Sequence, residues 1–84
     1  MITREFIYSF TKTKKDFFIT LKFCYYPFSK DGIVFIEIKN RKNYEIIFFK
    51  ELEDSNFIKC SKTFLKTKKM IEKLEILDLI NELK

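Results

Sequence analysis

Residues 6–26 read FIYSFTKTKKDFFITLKFCYY, and the side-chain alternation in this stretch decides the fold. Phe6, Tyr8 and Phe10 fall at every second position, as do Phe17, Ile19, Leu21, Phe23 and Tyr25, while Ser9, Thr11, Thr20 and Lys22 take the opposite face. Successive side chains of a strand point to opposite faces, so the pattern predicts two half-buried strands at about 5–11 and 16–26, broken by the polar run 12–15. Downstream, Ser29-Lys30-Asp31-Gly32 reads as a turn, with Gly32 where a positive φ is most needed and Pro27 just ahead of it. A third strand follows at 33–39 and a fourth at 44–51, separated by the polar 40–43. The break at 53–56 leaves room for a short fifth at 57–60.

From about Ser61 the period lengthens. Phe64, Met70, Ile71, Leu74, Leu77, Ile80 and Leu83 recur with helical periodicity, which predicts a helix at about 62–83 capped by Ser61 or Thr63. Glu72, Glu75, Asp78 and Glu82 form an acidic stripe on its far side, and Ile76 and Leu79 widen the apolar arc. Four-residue connections at 12–15, 29–32 and 40–43 place Phe10 opposite Phe17, Tyr25 opposite Ile36, and Ile36 opposite Ile47. One sheet face then gathers the alternating apolar residues of the first two strands with Val34, Ile36, Ile38, Ile47 and Phe49, and the helix is the element that can cover it. The expected fold class is α+β: residues 1–84 form one domain, an antiparallel β-meander of four to five strands with one C-terminal α-helix packed on one face.

Composition narrows the function classes. Of 84 residues, 46% are hydrophobic and 35% charged, with eleven Phe and four Tyr to build a core, which is the make-up of a folded domain. His is absent and Cys24 and Cys60 form no CxxC motif, so neither a metal site nor a nucleophile–base pair is visible. Both thiols are expected to be reduced and buried, as in a cytoplasmic protein. Glu37 and Glu45 project from opposite faces of the expected sheet, with Glu45 at the rim beside Ile38, and do not make an acid–base pair. No catalytic, cofactor-binding or metal-ligating residue is assigned, and an enzyme is not expected. Arg4 and Glu5 interrupt the apolar start, and no apolar run reaches about 18 residues, so neither a secretion signal nor a membrane span is expected. Ala, Gln and Trp are missing while Lys, Ile, Phe and Asn are common, the bias of AT-rich codons found in some bacteria, their phages and other mobile elements.

Charge and aromatic content point to a binding surface. Seventeen Lys and Arg against twelve Asp and Glu give a net charge of +5, which favours polyanionic partners. The expected register leaves one sheet face uncovered, bearing Phe18, Thr20, Lys22, Cys24 and Tyr26, then Phe35, Glu37 and Lys39, then Tyr44, Ile46, Phe48 and Lys50, then Phe57 and Lys59. Rings interleaved with lysines suit single-stranded nucleic acid, because bases stack on the rings while ammonium groups neutralise phosphates. The same face suits self-association. One end of the sheet gathers Lys12, Lys14, Lys15, Lys39, Arg41 and Lys42, and a fifth strand would bring Lys59, Lys62, Lys66 and the helix N-terminus there. Asp31, Glu51, Glu53 and Asp54 mark the other end. The plain alternative is that these loops are charged for solubility.

The order of several antiparallel strands followed by a helix is similar to that of Whirly-type and related single-strand-binding domains, a resemblance of topology that transfers no residues. The leading expectation is a non-enzymatic protein that meets single-stranded nucleic acid, or a nucleic-acid-handling protein complex, through the basic end and the aromatic face. The alternatives are a phage or mobile-element inhibitor of the anti-CRISPR or other counter-defence kind that binds a host protein, and a homodimeric interaction module. No cofactor and no membrane partner are expected.

Overall fold

The computed structural model describes residues 6–84. Strands β1 (Phe6–Lys14), β2 (Phe17–Tyr26), β3 (Asp31–Asn40) and β4 (Ile46–Asn56) are followed by helices α1 (Phe57–Lys73) and α2 (Ile76–Leu83). The strands form one sheet in the order β1-β2-β3-β4 with every neighbouring pair antiparallel. This is the expected α+β meander with a helical layer on one face; the expected start of β1 at residue 5 lies outside the described residues.

The first two hairpins keep the expected faces although their registers move. Phe10 lies opposite Leu21 instead of Phe17, and Leu21 opposite Ile36 instead of Tyr25. Each shift is an even number of residues, so no side chain changes face. The run 12–15 is mostly strand: Thr11 and Thr13 are β-branched and suit it, and the turn shrinks to Lys15-Asp16. Lys15 adopts φ 52° there. The second turn sits at residues 27–30, where the Ser29 and Lys30 N–H groups both donate to the Tyr26 carbonyl and Lys30 takes φ 60°. Gly32 therefore does not supply the positive φ. It lies buried in β3, where an added Cβ would stand 2.9 Å from Phe23 Cε1 and 3.1 Å from the Cys24 carbonyl oxygen, with Cys60 Sγ of the helix at 3.4 Å, so close approach by the neighbouring strand β2 is what requires glycine. The core-facing residues of β2 and β3 are Ile19, Leu21, Phe23, Val34, Ile36 and Ile38. Phe6 and Tyr8 share that side but stay half exposed on the edge strand.

The third hairpin reverses a face. Lys39 pairs with Ile46, yet Ile38 pairs with Phe48, which leaves Ile47 as an extra residue in a bulge. The inserted residue turns the next stretch over, so Ile36 lies opposite Lys50 rather than Ile47. Phe48, expected on the open face, packs against the core, whereas Ile47 and Phe49, expected inside, are exposed. Lys50 likewise turns to the helix side and donates to the Leu83 carbonyl. A second bulge at Leu52 restores the original alternation, with Glu53 opposite Val34. The connection 41–45 is longer than expected and takes Tyr44 and Glu45 out of the strand. It is closed by Asn side chains: Asn40 Oδ1 accepts from Lys42 N–H and Asn43 Oδ1 from Glu45 N–H. Glu45 is thus a loop residue and not a rim residue of the core.

This reversal sets up a direct stability comparison. Phe48→Ala should cost about 2–3 kcal/mol, somewhat less than truncation of a fully buried ring, while Phe49→Ala should cost under about 1 kcal/mol. Urea unfolding of both variants in dilute solution checks the order, and the reverse order would return Phe49 to the core.

The helical layer begins earlier than expected and breaks once. The Asn56 side chain accepts a hydrogen bond from Lys59 N–H at 3.0 Å, so the last residue of β4 caps α1 directly. Residues 57–60 are consequently the first helical turn and not a fifth strand, and neither Ser61 nor Thr63 is the cap. Phe57, Cys60, Phe64, Thr67 and Ile71 continue one stripe, spaced alternately three and four apart, with Phe57 stacked edge-on to Tyr25 on the covered side. One helix from 57 to 83 would be about 40 Å long, whereas a ten-residue strand spans about 33 Å. The chain instead leaves the helix at Leu74 and Glu75, both extended, and α2 folds back so that Leu79 and Leu83 enter the core. Leu77, expected on the apolar stripe, is thrown outward and is 75% exposed.

Candidate functional site

Helix α1 carries Lys59, Lys62, Lys66, Lys69 and Lys73, all exposed. Their spacing alternates three and four residues, which on a helix makes one stripe, about 21 Å from first to last. The stripe faces away from the buried Cys60, Thr67 and Ile71. Glu72 is the single acidic residue of α1 and lies off the stripe, and no acidic residue occupies the first turn. Among the described residues the ion pairs are Lys15 with Glu75 at 3.9 Å and Lys39 with Glu37 at 3.3 Å, so none involves the stripe. A shallow groove along it is lined by Lys62, Leu65, Lys66, Lys69, Met70 and Lys73, with Leu74 at its end.

The expected basic end of the sheet is only partly assembled. Because β4 ends at Asn56, opposite Asp31, α1 starts at the acidic end beside Asp31, Glu53 and Asp54. Lys59, Lys62 and Lys66 therefore do not join the basic end: no fifth strand returns the chain there. Lys12 and Lys14 project to the helix-covered side, and Lys14 Nζ donates to the Leu74 carbonyl. Its aliphatic stem crosses the rim while its charge caps the broken end of α1. Lys15 sits in the first turn, and Arg41 and Lys42 are exposed in the last connection.

The other sheet face is open, with both helices on the far side. It carries Phe18, Lys22, Phe35 and Lys39 as expected, joined by Phe49 in place of Phe48, with Tyr44 contributed by the loop. Phe18 and Tyr44 stack at 5.9 Å with 20° between planes, and Phe35 meets Phe49 at 5.6 Å and 37°. Each ring is thus already partnered by another. Lys39 is paired with Glu37 on this face at 3.3 Å, and Lys22 shares the face with Glu51, across Phe35. The lysine-rich surface and the aromatic surface, joined in the sequence reading, lie on opposite sides of the molecule. Lys69 and Lys73 were not among the expected binding residues, though their three- and four-residue spacing from Lys62 and Lys66 is a readable signal on the expected helix, to which the start at Phe57 adds Lys59.

The remaining reactive groups are dispersed. Cys24 points to the open face between Ile7 and Ile33, whereas Cys60 lies in the core beneath Gly32, so the two buried thiols sit on opposite sides of the sheet. No helix among the described residues is long and apolar enough to cross a membrane. No protein-family model, no curated protein and no solved structure matches this chain.

Proposed function

We propose that this protein is a small non-enzymatic binding protein that holds nucleic acid by its phosphates along the lysine stripe of α1. The observation that supports the reading is the stripe itself, five exposed lysines with no ion pair among the described residues. Folding does not call for it. Like charges three or four apart on a helix each destabilise it by about 0.2–0.5 kcal/mol, and lysines in the first turns oppose the helix dipole. A polyanion reverses the sign of both effects. Helix α1 has no Arg, Asn or Gln with a planar fork to read base edges, and its lysine ammonium groups meet phosphates as point charges, so binding should depend little on sequence.

Purified protein should retard single-stranded DNA or RNA at near-physiological salt. If all five lysines contact phosphate, the log–log salt dependence should have a slope of about −3.5. A flat salt response would sink the proposal. The second reading, an inhibitor of the counter-defence kind docking its lysine stripe on an acidic groove of a host protein, forecasts no retardation and co-purification of that protein instead. A homodimeric module without a nucleic-acid partner forecasts neither.

A further inference from the structure

We infer that the open sheet face is covered by a second copy of this chain, stacked face to face with its ends reversed. The face offers Ile7, Phe18, Ile33, Phe35, Ile46 and Phe49 on one side of the sheet with no helix over it. Ile7, Ile46 and Phe49 are each more than half exposed. Four strands about 4.8 Å apart and about 30 Å long present roughly 600 Å² per copy, so two copies would bury about 1,200 Å², the lower bound of a standard specific interface. Nucleic acid fits this side poorly, because Glu37, Glu51, Asp31 and Asp54 outnumber Lys22 and Lys39 on it and its rings are engaged with each other.

Charge selects both the partner and its orientation. On this face Lys39 and the adjoining Arg41 and Lys42 lie at one end of the strands, and Asp31 and Asp54 lie at the other. A two-fold axis lying between the sheets and perpendicular to the strands sets each basic end over the partner's acidic end, twice over. An axis parallel to the strands would set like over like. The same patch meets itself, as a closed two-fold interface requires, and sheets stacked about 10 Å apart with nearly aligned strands are an ordinary sandwich. The two α1 stripes would then face outward on opposite sides of the dimer. Resting on the proposed nucleic-acid reading, such a dimer would hold two strands at once.

Sedimentation equilibrium without nucleic acid tests the inference. The expected mass is about twice the 10.3 kDa of the chain. A protein that stays monomeric up to about 0.1 mM, a dissociation constant too weak for an interface of this area, overturns it. Phe35→Glu with Phe49→Glu should give monomer with an unchanged circular dichroism spectrum, and a dimer that survives both substitutions also overturns it. Arg41→Glu with Lys42→Glu should weaken the dimer about tenfold or more, and adding Asp31→Lys with Asp54→Lys to the same chain should restore it. Failure of that restoration rules out the reversed arrangement. None of these readouts depends on nucleic-acid binding, so dimerisation and the proposed function stand or fall separately.

Discussion

Replacing Lys62, Lys66 and Lys69 together with glutamine should lower affinity for single-stranded nucleic acid about 100-fold at roughly 0.1 M salt. Each phosphate contact contributes about 0.7 to the salt exponent, so three lost contacts remove about two decades of affinity at that salt relative to 1 M. The slope itself should fall by about 2, and fluorescence anisotropy across a salt series reads both quantities. All three lysines lie in the middle of the stripe and point away from the core, so the fold should be retained. Relief of the repulsion between neighbours should leave the variant at least as stable as the parent. Neutralising Lys15, Arg41 and Lys42 instead should have a much smaller effect, since these lie at the sheet end and outside the stripe. Equal losses from the two triple variants would move the contact to the sheet end.

Truncating the seam between sheet and helices should produce the largest loss of stability. Ile36 and Ile71 are both fully buried, the first in a central strand and the second on the inner stripe of α1. Ile36→Ala or Ile71→Ala should each cost about 3–4 kcal/mol, from lost transfer free energy and the cavity left behind. That is a large fraction of the 5–15 kcal/mol typical of a folded domain, and should lower the melting temperature by about 15–20 °C. Leu79→Ala should behave similarly, because α2 is folded back to bury that side chain. Phe28→Ala is the natural control: Phe28 is 77% exposed and its loss should be nearly silent. If Leu79→Ala were as mild as Phe28→Ala, α2 would not belong to the core.

Legibility in the sequence varied by element, for physical reasons. The faces of β1, β2 and β3 were legible because a period of two survives any slip by an even number of residues. Phe48 and Phe49 were not, because the bulge at Ile47 inserts one residue into a run, Ile46-Ile47-Phe48-Phe49, that is apolar on both faces. The start of α1 was hidden because Phe57-Ile58-Lys59-Cys60 is a short, mostly apolar run after the polar break 53–56, which too few residues mark as strand or helix, and the cap at Asn56 distinguishes it as helix. Misplacing that start by one turn left Lys59 off the helix, whereas Lys62, Lys66, Lys69 and Lys73 share one face of the expected helix as well.

Local chemistry alone therefore determined that this chain builds an antiparallel meander with a helical layer, that Ile19, Leu21, Phe23, Val34, Ile36 and Ile38 lie inside, and that lysine and aromatic surfaces exist. These follow from periodicity and composition, which each segment carries by itself. Tertiary structure alone decided that the two surfaces lie back to back, that α1 starts at the acidic end, and that Phe49 rather than Phe48 faces solvent. Those outcomes depend on where β4 ends against β3, at Asn56 opposite Asp31, and on which residue the β3–β4 ladder leaves unpaired, and both are set by pairing between strands rather than by either segment alone.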